Sequence, residues 1–221
     1  MRRRSRRYVS GRCCSRGLHW RVAMWRSWMH GHLAQQTQQH HAAADGDRLA
    51  ILEKPSGERY RTYLARIYGF EAPIERACIA AEDVPGGLLR THLKSARLRT
   101  DLEALGFDED TLPPLAPPRF AGAPEALAWM WVLHRNTLLH GLVYRYLRAK
   151  LPEPLEAAGS YLCAFEGRAG ALMHELSASL ERVARRASIA ERISTAAKDA
   201  FRAQRQWYGS ELPTTTIRRA A

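Results

Sequence analysis

A chain of 221 residues, 46% of them hydrophobic, is long enough for one domain with a sizeable core and some tail besides. No uninterrupted apolar run approaches the ~20 residues of a membrane-spanning helix, so no membrane partner is expected. The formal net charge of +12 resembles that of a nucleic-acid binder until it is located: nine arginines lie between Arg2 and Arg26, and the first acidic residue is Asp45.

The basicity thus belongs to an arm, residues 1–31, and not to the body. The arm has no sustained period and no acid to pair its arginines, so it is expected to be a disordered extension. The same composition also fits a transit-like segment, or a start called too early, with Met24 or Met29 as the true one. Arginines interrupt every candidate apolar stretch of a secretory signal. Nucleic acid is an expected partner only through this arm, by phosphate contacts. Of the four cysteines, Cys13 and Cys14 are adjacent in the arm, while Cys78 and Cys163 sit singly in apolar helical contexts. They form neither a zinc spacing nor a disulfide framework, which fits a reduced, cytoplasmic compartment.

From there the chain reads as all-α. Residues 32–45 form a short helix rich in Gln and Ala. Ser56-Gly57-Glu58 opens a long one with Tyr60, Leu64, Ile67 and Tyr68 on one face. Pro73 should kink it or start a new segment. Pro85-Gly86-Gly87 is a break. Leu88, Leu89, Leu93, Leu98, Leu102 and Leu105 then mark one further helix, stopped by Gly106. Residues 108–124 read as a loop and 125–150 as a strongly apolar helix. Leu151-Pro152-Glu153-Pro154 breaks the chain again. Two last helices span 155–187 and 189–208, and the tail from 210 to 221 is expected to be flexible. There is no alternating stretch, no internal repeat and no Gly-rich phosphate loop.

Two groups of polar residues could carry chemistry. Thr37 and His41 lie four apart and share a helix face, whereas His40 should point to solvent. Together with His30 and His32 they also fit a weakly metal-binding or inert polar stretch. In the apolar helix, Trp129, Met130, Trp131, Leu133, Leu138, Leu139 and Leu142 make a broad core surface, with His134 and His140 among them. Other enzyme classes have little support. No G-x-S-x-G nucleophile elbow occurs. No Glu-x-x-His pair for a di-iron site occurs either, and His174-Glu175 are adjacent and diverge.

Five segments in order carry a family resemblance over residues 32–208. The first is the stretch from Arg59 to Glu75, RYRTYLARIYGFEAPIE, following the His40-His41 pair. The second is Arg97 to Gly106, which is similar to a segment ending in DLxxLG. Trp131-Val132-Leu133 with Thr137-Leu138 looks like a helix usually written YVLEGSTLGG. Tyr161 to Gly170, YLCAFEGRAG, and Ala196-Ala197-Lys198-Asp199-Ala200-Phe201 with Trp207 complete the set. In this order they resemble bacterial haem oxygenases, most closely those encoded beside bacteriophytochromes.

The resemblance implies a single haem oxygenase-like helical domain, residues 32–209, that opens haem to biliverdin, carbon monoxide and iron. Haem would be both substrate and cofactor. A ferredoxin or flavoprotein reductase would deliver electrons, and a bacteriophytochrome is an expected partner. The family's proximal histidine follows a Thr by four residues, which makes His41 the iron ligand and Thr37 its neighbour. The family's distal helix approaches the haem through two glycines, because no side chain fits between backbone and iron-bound oxygen. Here Arg135 and Leu139 stand at those positions, so Arg135, Asn136, Leu139 and His140 form the distal wall. Leu172-Met173 replaces an Arg-Trp pair that usually serves a haem propionate, leaving Arg168 or Arg182 for that role. Two further functions follow: a catalytically impaired haem-binding or haem-sensing protein, or a six-coordinate haem with His134 or His140 opposite His41.

Overall fold

The computed structural model describes residues 27–107 and 114–210, and their regular structure is entirely helical. The helices are α1 (Trp28–Gln36), α2 (Gln38–Leu49), α3 (Gly57–Ala80), α4 (Gly86–His92), α5 (Ser95–Ala104), α6 (Ala123–Asn136), α7 (His140–Lys150), α8 (Pro152–Ala157), α9 (Ala169–Val183) and α10 (Ala187–Gly209). The 3-10 turns Ala50–Leu52 and Thr137–Leu139 follow α2 and α6. None of these helices is long and apolar enough to cross a membrane. The arginine-rich arm up to residue 26, with Cys13 and Cys14, lies outside the described residues. So do residues 108–113 of the expected loop and the tail from 211.

The folded body begins earlier than residue 32. The Ser27 hydroxyl caps α1 by accepting the His30 N–H at 3.4 Å. It also donates to the Ser177 carbonyl at 3.3 Å. Met29 and Leu33 are fully buried, and Trp131 Nε1 donates to His30 Nδ1 at 3.3 Å. Thr37 separates α1 from α2, where one helix was expected.

In α3 the Ser56 hydroxyl accepts the Arg59 N–H, as the opening residues predict. The helix continues through Pro73 instead of restarting there. Proline has no N–H to give the Gly69 carbonyl. The Leu115 N–H donates to that carbonyl instead, at 2.9 Å, so a loop strand outside the helix repairs the gap.

The leucine-rich run forms two helices, not one, because the backbone turns at Leu93-Lys94. There the Lys94 and Ser95 N–H groups donate to the two Glu75 carboxylate oxygens at 2.9 and 3.0 Å. Gly106 ends α5 in the left-handed region, φ 68, and the Phe107 N–H reaches back to the Leu102 carbonyl at 2.9 Å.

The expected helix over 125–150 is divided by the 3-10 turn Thr137–Leu139. No glycine or proline sits in the turn; the Thr137 hydroxyl donates back to the His134 carbonyl at 2.6 Å, competing with the regular ladder. The expected helix over 155–187 is divided as well. After α8, residues 159–168 run as consecutive turns that Asp101 of α5 fastens, its carboxylate accepting the Ser160 N–H, the Ser160 hydroxyl and the Tyr161 N–H.

α6 packs against α3, α9 and α10 and is buried all round from Ala126 to His134, which is what a centrally placed helix requires. One apolar cluster surrounds it, with Phe70, Ile74, Leu176, Leu180, Ile193 and Phe201. A second joins Tyr60, Leu64 and Ile67 of α3 to Leu98, Leu102, Val143, Leu147 and Leu162. α3 belongs to both, and at the border between them it carries Glu71 and Glu75.

Candidate functional site

Thr37, His41, Asp45 and Arg48 follow each other at spacings of four, four and three, which places them along one face of α2. That face meets the end of α6 and the start of α7. Asp45 takes Arg135 of α6 in a two-pronged ion pair, with Nη1 to Oδ1 at 2.7 Å and Nη2 to Oδ2 at 2.9 Å. The Arg135 guanidinium lies 5.8 Å over the Phe201 ring of α10. The rings of His40 and His41 flank the same Phe201, at 5.7 and 5.5 Å. His40 therefore does not point into solvent as expected; it is half-buried and stacked.

The state of His41 follows from its neighbours. The Thr37 hydroxyl gives its only proton to the Leu33 carbonyl, at 2.7 Å. His41 Nε2, 2.9 Å from the same oxygen, must therefore be the donor, which leaves the lone pair on Nδ1. Burial, and then the Arg135 charge, bring its pKa down to about 4, so the ring is neutral at pH 7.

Arg48 leads inward to a buried charge cluster. Its Nη1 lies 3.4 Å from Glu71 Oε1, and Lys94 Nζ lies 2.9 Å from Glu71 Oε2, all three side chains being at most 1% exposed. Arg48 also donates to the hydroxyls of Tyr161 and Tyr208, at 2.7 and 2.9 Å. The Tyr161 hydroxyl in turn donates to Glu71 at 3.0 Å. None of this cluster was singled out from the sequence. Only the tertiary contact reveals Arg48, Glu71, Glu75 and Lys94 as interior.

On the opposite side of the Thr137–Leu139 turn lies a cavity of about 720 Å³. Its walls are Leu138, Leu162, Phe165 and Ala169 together with Tyr144, and Arg145, Arg148 and Glu166 also line it. Tyr144, Cys163 and Arg148 are neighbours there. Cys163, read from the sequence as sitting in an apolar helical context, is half-buried in the turns on this wall, and burial raises its thiol pKa.

The residues singled out from sequence thus separate into groups. Thr37, His41 and Arg135 come together, and Leu139 is half-buried on the turn beside them. Asn136 faces away, donating to Gln204 of α10 at 3.0 Å. His140 is buried with Nε2 at 3.4 Å from Arg48 Nη2, and burial holds its pKa well below the usual value. His134 donates to the Ala169 carbonyl at 2.8 Å and stacks near His92, 5.1 Å away; burial brings its pKa to about 3. These two histidines are thus in contact with Ala169, His92 and Arg48. Arg168 is exposed at the start of α9, between the cavity-lining Gly167 and Ala169 and not on the α2 face. Arg182 donates to Ser179 within α9. No group of three or more His, Cys, Asp or Glu side chains that could hold a metal ion occurs among the described residues. No family model matches the chain, and no match was found among curated proteins.

Proposed function

We propose that this chain is a haem oxygenase-like protein that binds haem through His41, with the ring-opening reaction to biliverdin slowed or lost. The observation that supports the reading is the meeting of two segments. The face of α2 that carries Thr37 and His41 lies against the interrupted α6–α7 run, and these are the segments that the resemblance pairs as proximal and distal sides of a haem. A neutral imidazole on that face is a suitable iron donor. Haem, when bound, would supply the iron that activates oxygen.

The donor fits the group, but the cavity described above is not lined by His41. Arg135 and Asp45 close the space in front of His41, and His41 Nε2 is engaged with Thr37. Uptake of haem has to part the Arg135–Asp45 pair, and His41 would hold the iron through its Nδ1 lone pair, or through Nε2 after the ring proton moves to Nδ1. Once parted, Arg135 and Leu139 still stand where a distal side needs bare backbone, and they compete with oxygen for that space. Binding without efficient turnover follows.

The test is a hemin titration followed by reductant under oxygen, with a ferredoxin or flavoprotein reductase as electron source. The wild type should give a shifted Soret band, and His41→Ala should lose it with helicity by circular dichroism unchanged. Equal uptake by both would remove His41 as ligand. The wild type should make little or no biliverdin. The double change Arg135→Gly with Leu139→Gly should raise it, at a stability cost of up to about 1 kcal/mol at Arg135, which lies in the last turn of α6. Robust biliverdin formation by the wild type would overturn the impaired reading and restore the full oxygenase.

A further inference from the structure

Of the five large apolar side chains that stand exposed on the described residues, three lie on one line. Leu138 of the 3-10 turn and Leu142 and Tyr146 of α7 are 43%, 48% and 38% exposed, and they follow each other at spacings of four. Residues four apart share a helix face, so they form one stripe, which the exposed Ala149 extends. On the inner side of the same helix Val143 and Leu147 are fully buried. α7 is therefore apolar on two faces, where a surface helix needs one. Singly scattered exposed apolar residues need no explanation, but an aligned set marks a contact surface.

The stripe borders the cavity. Leu138 and Ala149 belong to both, and Leu162 and Phe165 continue the apolar surface on the cavity wall. Charges of both signs accompany it. Arg145 folds over Gly141, where a Cβ would lie 3.5 Å from its Nη1, and Arg148 follows one turn on. Glu166 is on the same cavity wall. All three are exposed, and none forms an ion pair among the described residues.

We propose that this face docks a second copy of the same chain, the two α7 helices crossing antiparallel with Leu142 on the two-fold axis. An isologous contact requires a surface that carries what it recognises. This one does. Leu138 and Tyr146 each lie four residues from Leu142, on opposite sides, so an antiparallel crossing there sets each against the other across the axis. The unpaired arginines of one copy are offered the Glu166 carboxylate of the other. An anionic surface would be opposed by Glu166 and a polycation by the two arginines, whereas a second copy matches both signs. α7 is only about 16 Å long, so the contact is at the small end of specific interfaces and its Kd is expected in the micromolar range. The inference rests on the α7 surface and not on haem binding.

The test is sedimentation velocity of the full chain under reducing conditions, from about 1 to about 200 μM, a range that brackets a micromolar Kd. The mass should rise with concentration from 25.0 kDa to twice that value. Leu142→Glu sets two carboxylates against each other on the axis and should stay monomeric throughout, with circular dichroism unchanged because the position is exposed. Ile79→Glu, on α3 and 56% exposed, is the control and should dimerise like the wild type. Leu138→Lys and Tyr146→Glu should each weaken the dimer about tenfold or more. Combined in one chain, they should associate at least about threefold more tightly than either alone, because the new charges meet only across the axis. A chain that is monomeric over the whole range would overturn the proposal, as would a Leu142→Glu variant that dimerises like the wild type. Failure of the combined variant to recover would overturn the antiparallel crossing. A monomer that pellets with phosphatidylglycerol vesicles, and loses this with Leu142→Glu, would replace the second copy with a lipid surface.

Discussion

The Thr137–Leu139 turn separates two surroundings built from similar side chains. Toward α2, arginine and histidine are closed in: Arg135 holds Asp45, Arg48 holds Glu71, and His41 is bonded to Thr37. Toward the cavity, Arg145 and Arg148 stand exposed, outside any ion pair among the described residues. The difference is one of burial and partner, not of residue type. A guanidinium taken out of water must find a carboxylate, whereas one at a cavity mouth can wait for a partner.

The strongest way to break this comparison is at Glu71, the one carboxylate shared by Arg48 and Lys94. Glu71→Ala leaves the buried cations Arg48 and Lys94 with Glu75 as their one remaining carboxylate and should cost about 3–5 kcal/mol in urea unfolding. Arg148→Ala at the exposed cavity rim should stay within about 0.5 kcal/mol. Equal costs would show that the two sides are energetically alike and that the contrast drawn here is wrong.

Acid sharpens the same contrast through the buried histidines. His134 and His140 have folded-state pKa values lowered from 6.5 chiefly by burial, His134 to about 3. Their neutral forms fit the fold and their charged forms do not. The unfolded chain therefore binds more protons below pH 6.5, and stability is full above that pH and falls as pH drops toward the folded pKa. Each should contribute about 1.4 kcal/mol of loss per pH unit in that window. A urea midpoint that is flat from pH 7 to pH 5 would contradict the burial of these rings.

Much of the scaffold was legible because its signals are local. Ser56 opening α3 and Gly106 closing α5 are each decided by a residue or two, whereas Gly86 and Gly87, read as part of a break, open α4 behind Pro85. The pairing of Thr37 with His41 followed from helix periodicity alone. What could not be read depends on contacts distant in sequence. Pro73 was expected to interrupt α3, and only Leu115, 42 residues on, explains why it does not. The leucine run divides at Lys94 because Glu75 binds the backbone there. The apolar 125–150 stretch hides its 3-10 turn, since the Thr137 hydroxyl that competes with the ladder looks like any helical threonine. The Asp45 partner of Arg135 was likewise invisible: the resemblance gave Arg135 an expected distal position but no sign of the carboxylate that holds it.

That pair provides a small expected change in stability and the most direct test of closure. Arg135 and Asp45 are 13% and 31% exposed in their side chains, so their attraction is partly screened by water. Pairs of this kind contribute about 0.2–1 kcal/mol. Arg135 also retains its place over Phe201 when Asp45 is neutral. Asp45→Asn should therefore lower the urea midpoint slightly, with the slope of the transition unchanged. If the pair is what closes the α2 face, the same substitution should speed hemin capture in stopped flow, because parting a hydrogen bond to a neutral amide is easier than parting two charge-assisted ones. Raising salt should speed the wild type toward the variant. A loss above about 2 kcal/mol would mark the pair as part of the framework. Unchanged capture rates in both variant and salt series would place the barrier elsewhere, at the bond between His41 and Thr37.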